Sequence, residues 1–129
     1  MTVSQHLAEL IELWGQDSRG GYGFSRIGAV VGATHPDQAS DLRARLPHTF
    51  LLVPGYGAQG GTAADVAALF TDNSSYGASI SSSRGIIAAW QKDPSYRPDM
   101  SRTQALDLVA KAARKAARQM RDDLTAVLN

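Results

Sequence analysis

Three strand-like runs in this chain each stop at a small or polar turn and hand over to a helix-like stretch. They are Ile27-Gly-Ala-Val-Val-Gly-Ala-Thr34, Phe50-Leu-Leu-Val-Pro-Gly-Tyr-Gly-Ala-Gln-Gly-Gly61 and Ile80-Ser-Ser-Ser-Arg-Gly-Ile86. Repetition of strand, turn and helix predicts an α/β fold with a parallel sheet, in which chemistry gathers where strands hand over to loops. The second and third turns are built to hold an anion.

At 129 residues with 43% hydrophobic content, the chain has the size and composition of one folded domain. A net charge of +1 supplies no global attraction to nucleic acid or to an anionic membrane. With no cysteine there are no disulfides, thiolate metal sites or thiol nucleophiles, and scattered His6, His35 and His48 do not suggest a metal cage. Met1 is followed by Thr-Val-Ser-Gln-His, without a basic stretch or a long apolar run. The expectation is a soluble, cytoplasmic protein without a targeting segment or a membrane span.

Along the chain, residues 2 to 14 read as a helix with Val3, Leu7, Leu10, Ile11 and Trp14 on one face and Glu9 and Glu12 turned away. Three βα units follow, over 26–46, 49–70 and 78–91. The apolar run of the first strand suits burial on both faces. Thr34 is a candidate cap before Pro36, and Thr62 caps a helix whose Val66, Leu69 and Phe70 face inward. Asp72 to Gly77 reads as a turn and Asp93 to Asp99 as an extended linker. The terminal helix, 101–127, carries Leu106, Val109, Ala113, Ala116, Met120, Leu124 and Val127 at three- and four-residue intervals. Opposite that stripe stand Lys111, Arg114, Lys115, Arg118 and Arg121. Without interleaved aromatics they read as solvated charge on an amphipathic helix, not as a nucleic-acid surface. Three strands leave unpaired edges, so the chain reads as one partial domain of a larger βα assembly.

The turn Pro54-Gly-Tyr-Gly-Ala-Gln-Gly-Gly61 holds four glycines, which admit positive φ and close approach of a ligand. The helix starting near Thr62 is expected to add unpaired N–H groups and its positive dipole end. Gln59 offers both a donor and an acceptor, enough to bridge a phosphate oxygen and a polar ring. The plainer alternative is a glycine-rich surface loop without a ligand. The motif is neither a Walker loop nor a GxGxxG fingerprint. In Ser81-Ser-Ser-Arg-Gly85, an arginine at a strand end beside small hydroxyls is suited to bidentate phosphate contact, against the alternative of an ordinary surface ion pair. Two such turns in succession fit the phosphate site that (β/α)8 barrels build from the loops after strands seven and eight.

Taken together, Gly28-Ala-Val-Val-Gly-Ala-Thr34-His-Pro36, Leu52-Val-Pro-Gly-Tyr-Gly-Ala-Gln-Gly-Gly61 and Ser82-Ser-Arg-Gly-Ile-Ile87 resemble the C-terminal part of the longer bacterial orotidine 5′-phosphate decarboxylases. Leu7-Ala-Glu-Leu-Ile-Glu-Leu-Trp-Gly15 resembles the helix before strand six of that family, so the likeness runs from about residue 7 to 91. It implies the C-terminal portion of a TIM (β/α)8 barrel, contributing about three parallel strands with flanking helices. It also implies the conversion of orotidine 5′-monophosphate (OMP) to UMP and CO2 without metal or organic cofactor. By position, Gln59 contacts the phosphate and the pyrimidine side. Arg84 binds the phosphate with backbone N–H groups near Ser83 and Arg84. Pro54, Gly55, Tyr56 and Gly57 belong to the loop that closes over the ligand.

The family's proton-transfer array, Asp-x-Lys-x-x-Asp, lies on early strands. This chain has lysine only at 92, 111 and 115, none two residues after an aspartate. A carbanion left by CO2 needs a fixed ammonium nearby, so the resemblance assigns no catalytic residue here and implies an inactive chain when alone. Three arrangements stay open. The chain is a decarboxylase portion completed by an N-terminal barrel half, a non-catalytic nucleotide- or phosphate-binding module, or a half-barrel that assembles with a second copy of itself.

Overall fold

The computed structural model describes residues 1–57, 59–71 and 76–128. Most of the expected turn at 72–77, and Ala58, lie outside them. Helices α1 (Val3–Gly15) and α2 (Pro36–Arg45) bracket strand β1 (Gly28–Val30), with a 3-10 turn at Gln16–Ser18. Strand β2 (Phe50–Val53), helix α3 (Ala63–Ala67), strand β3 (Ala78–Ile80) and helix α4 (Ser83–Ile87) complete the alternation. A 3-10 turn at Ala89–Lys92 leads to α5 (Arg102–Leu128). The sheet has order β1-β2-β3 and both pairings are parallel, with Ala29 opposite Leu51 and Leu52 opposite Ser79. Regular pairing is shorter than the sequence suggests, but Val31 N–H to Leu52 O (3.0 Å), Ala33 N–H to Pro54 O (2.9 Å) and Ser81 N–H to Val53 O (2.9 Å) carry the ladder to the strand ends.

Alternation along β2 divides the sheet into two unlike faces. Leu51 and Val53 are fully buried with Leu46, Val66 and Leu69, and Ala8, Ala33 and Ala39 complete the cluster. Each of the larger side chains contributes about 1.5–3 kcal/mol on leaving water. The other face is largely open: Val30 is 68% exposed, Phe50 42% and Leu52 46%, with only the Phe24 ring standing edge-on to Phe50 at 5.8 Å among the aromatic contacts of the described residues. This corrects the expectation that the apolar first strand is covered on both sides. Such a run is what a barrel strand needs, but here helices lie against one face only.

The terminal helices also differ from their periodicity. In α1 the inward positions are Ala8, Ile11, Glu12 and Gly15, while Val3 (86% exposed) and Trp14 (58%) point to solvent. In α5, Leu108 and Ala112 are buried and Leu106 and Val127 are exposed, so the inward stripe is displaced by one to two residues at its start. The basic face of α5 is exposed, as expected, and Lys111 is paired with Asp107 at 2.6 Å.

Glu12, expected to face away, anchors α1 to the start of β2. Its carboxylate accepts from Thr49 Oγ1 (2.9 Å) and His48 N–H (3.2 Å), and lies 2.6 Å from His48 Nδ1. An ionised carboxylate only accepts, so Nδ1 carries the proton. Burial pushes the Glu12 carboxyl up, but the hydrogen bonds from His48 and Thr49 outweigh it and hold the group below its ordinary value. A depressed carboxylate stabilises the fold above the unfolded pKa, and that contribution is lost as pH falls through the folded one. Stability is therefore expected to decline below about pH 4.5. Glu12→Gln should flatten that acid limb in urea titrations repeated at pH 3 to 6; an unchanged limb would remove Glu12 from it.

Candidate functional site

The carboxyl ends of the three strands open on one rim, because parallel strands all point their loops the same way. After β2 the chain folds on itself at Pro54 to Gly61. Gly57 N–H donates to Gly61 O (2.8 Å), Gly60 N–H to Gly57 O (2.9 Å) and Gly61 N–H to Gly55 O (3.3 Å). This path places Gly55, Gly57 and Gly60 at φ of +99°, +74° and +94°, a region side chains strain to enter. A Cβ on Gly55 would stand 3.0 Å from Gln59 Oε1, so the glutamine side chain lies back over that glycine. Gly55→Ala is expected to cost about 1–3 kcal/mol of stability through the strained φ and to lift Gln59 from its place. Urea midpoints and the Gln59 side-chain amide resonances report both effects. A midpoint matching the parent would show that the loop takes another path.

A cleft of about 120 Å³ is lined by Pro54, Gly55, Tyr56, Gln59, Ser81, Ser82, Ser83 and Arg84. Two loops separated by a whole βα unit thus bring Gln59 and Arg84 to one place. Gly57 stands beside it, where an added Cβ would lie 3.8 Å from Ser82 Oγ. Arg84 is exposed, and no hydrogen bond or ion pair among the described residues engages its guanidinium. At roughly four times the ~30 Å³ that a water molecule occupies, the cleft suits a phosphate-sized group. It falls below the ~300 Å³ at which pockets begin to enclose a drug-sized ligand. Its lining has no carboxylate, lysine or histidine, and burial together with the charge of Asp123 on α5 pushes the Tyr56 phenol up, keeping it protonated. The lining can grip an oxyanion; it has no general base.

Two expected contributors behave otherwise. The first turn of α3 is closed by its own residues: Asp65 Oδ2 accepts from Thr62 N–H (2.8 Å) and Thr62 Oγ1 (2.7 Å), and Thr62 Oγ1 accepts from Asp65 N–H (3.3 Å). Those bonds hold the Asp65 carboxyl below its ordinary value, so an anion arriving there meets a negative charge. Helix α3 also spans only 5 residues, which limits its dipole. Thr34 does not cap α2, because its hydroxyl pairs with His35 Nδ1 at 3.0 Å. It faces the rim, with Cγ2 3.5 Å from a Cβ placed on Gly55.

Sequence reasoning missed the part played by Ser82, since three consecutive serines do not reveal which hydroxyl turns inward. A larger cleft, about 690 Å³, lies between α2, α3 and the end of α5 and includes Pro47 and Thr71. Those residues precede β2 and β3, the strand ends associated with stability and not with chemistry. No three His, Cys, Asp or Glu among the described residues gather as metal ligands, and no helix among them is long and apolar enough to cross a membrane.

No protein-family model matches the chain. It is 40% identical over 127 residues to orotidine 5′-phosphate decarboxylase of Clostridium tetani, a match covering 98% of this chain and 40% of that protein. The Rhodopirellula baltica decarboxylase is 45% identical over 92 residues, covering 71% of this chain and 30% of that one. Among solved structures, Leishmania donovani OMP decarboxylase superposes with a TM-score of 0.61 at 28% identity, over 96% of this chain and 38% of that chain. Leishmania donovani UMP synthase gives a TM-score of 0.65 at 28% identity, over 96% of this chain and 22% of that chain. The chain spans about two-fifths or less of the length of each of these relatives. In sequence and in fold it is a relative of the orotidine 5′-phosphate decarboxylases, consistent with a C-terminal portion of their TIM barrel.

Proposed function

We propose that this chain forms the phosphate-binding side of an orotidine 5′-phosphate decarboxylase, acting in de novo pyrimidine biosynthesis on OMP and its product UMP. The observation that carries this reading is the convergence of Gln59 and Arg84 on one phosphate-sized cleft. Arg84 supplies a planar fork of donors to the phosphate oxygens, and Gln59 donates from the facing side. Ser83 and the Pro54–Gly57 segment complete the lining.

Binding energy at a phosphate remote from the reacting carbon lowers the barrier only if it is used to position the base beside charged groups. The Lys and Asp array needed there is absent from the lining and is assigned to strands that this chain does not contain. The open side of the sheet supports completion by such strands. Val30, Phe50 and Leu52 are exposed on it, and β1 at the sheet edge has neighbouring pairing on one side only.

Calorimetry with UMP on the isolated chain tests the binding side, and OMP turnover with and without an N-terminal half carrying Asp-x-Lys-x-x-Asp tests completion. Expected are UMP binding without turnover by the chain alone and turnover on mixing. Turnover by the chain alone would overturn the division of labour; absence of UMP binding would overturn the site.

A further inference from the structure

Ser82 occupies the residue just before α4, where a serine ordinarily turns its hydroxyl onto the first amides of its own helix. Here it makes no such cap. Its hydroxyl donates instead to the backbone carbonyl of Tyr56, 26 residues earlier, at 3.2 Å. Tyr56 is a fixed point, because its ring packs on the core cluster and its backbone forms a parallel bridge with Gly61. Two glycines also lie beside the hydroxyl. A Cβ on Gly85 would lie 2.4 Å from Ser82 Oγ, and one on Gly57 would lie 3.8 Å away. The loop bearing Gln59 and the turn bearing Arg84 are thus joined on the rim by one hydroxyl in a space that glycine keeps open.

We propose that Ser82 is a positioning residue that latches the Gln59 loop to the Arg84 turn, setting the separation at which the two side chains meet one phosphate. The inference rests on the phosphate reading of the cleft, but its mechanical half stands apart from any ligand. Without the latch the Gly55–Gly61 loop keeps its internal hydrogen bonds and loses its tie to the neighbouring unit.

The test uses the full chain, with Ser82→Ala, Gly85→Ala and the double variant, read by amide hydrogen exchange, by calorimetry with UMP and with inorganic phosphate, and by urea unfolding. Ser82→Ala should speed exchange at the Gly57, Gly60 and Gly61 amides about tenfold while the β2 amides keep their rates. It should also weaken UMP binding about five- to tenfold. Gly85→Ala should reproduce both effects by pushing the hydroxyl aside. The double variant should be no worse than Ser82→Ala, since a Cβ at Gly85 then meets no hydroxyl; this non-additivity is what a shared contact produces. Loop exchange equal to the parent in both single variants would overturn the latch. So would uniform acceleration of all amides in step with lost stability, which marks a merely structural serine. If the parent binds neither UMP nor phosphate, the phosphate reading fails, and the exchange data still decide the latch.

Discussion

Replacing Arg43 with alanine should lower the unfolding free energy by about 2–4 kcal/mol, the largest stability loss expected of any single change outside the apolar core. Arg43 sits on α2 with only 8% of its surface exposed. Its Nη2 donates to Thr49 O at 2.8 Å, and its Nη1 donates to Leu69 O at 3.3 Å and Gly77 O at 3.2 Å. One planar group therefore satisfies carbonyls just ahead of β2, just after α3 and just ahead of β3. Gly77 O retains a second donor, Leu51 N–H at 2.9 Å, so its loss is the mildest. No other hydrogen bond among the described residues reaches Leu69 O or Thr49 O from a side chain, and each buried carbonyl left without a partner costs about 1–3 kcal/mol. Water entering from the adjacent cleft of about 690 Å³ tempers the total.

Burial draws the Arg43 pKa down while the charge of Glu12 opposes the fall, and a guanidinium remains charged throughout the neutral range. Its Nε is the one buried side-chain polar atom without a hydrogen bond among the described residues. Arg43→Lys should recover only part of the loss, because one ammonium cannot span three carbonyls that a rigid fork reaches. The check is a shift of the urea midpoint at constant slope. A loss below about 1 kcal/mol for Arg43→Ala would mean that the carbonyls find other donors.

Arg84→Ala should weaken UMP binding about 10- to 150-fold, the equivalent of about 1.5–3 kcal/mol for a hydrogen bond to a charged group. Its side chain is exposed and engaged by no partner among the described residues, so removing it should leave the urea midpoint within about 0.5 kcal/mol of the parent. Arg84→Lys keeps the charge but not the two-pronged contact, and should fall between. Because the cleft is open to solvent, raising the salt concentration should reduce the difference between parent and variant. Gln59→Ala should cost less and alter the preference among bases, since one amide divides its contacts between phosphate and ring. Calorimetry returning equal affinities for the parent and Arg84→Ala would remove Arg84 from the site.

The lengths of chain whose roles were legible in advance are those whose cause is local. An apolar run ending in glycines or serines and followed by a helical stretch is written in neighbouring residues, so the three βα units and their parallel order could be read directly. The meeting of Gln59 and Arg84 was legible for the same reason: parallel topology sends both turns to one rim. What escaped were features whose partners lie far along the chain. Glu12 looks like a solvent-facing helix residue until His48 and Thr49, 36 and 37 positions later, claim its carboxylate. The apolar side of α1 looks like a core face, but Val3 and Trp14 on it stay uncovered while Ala8 and Ile11 turn inward. The helix start at Thr62 looks open to an anion until Thr62 and Asp65 close on each other and leave a carboxylate there. Ser82 could not be told from its two neighbours until the fold set it beside the Tyr56 carbonyl. Residue order dictates periodicity and turn chemistry. Which polar group is enclosed, and which apolar face stays bare, depends on the surface that arrives opposite it.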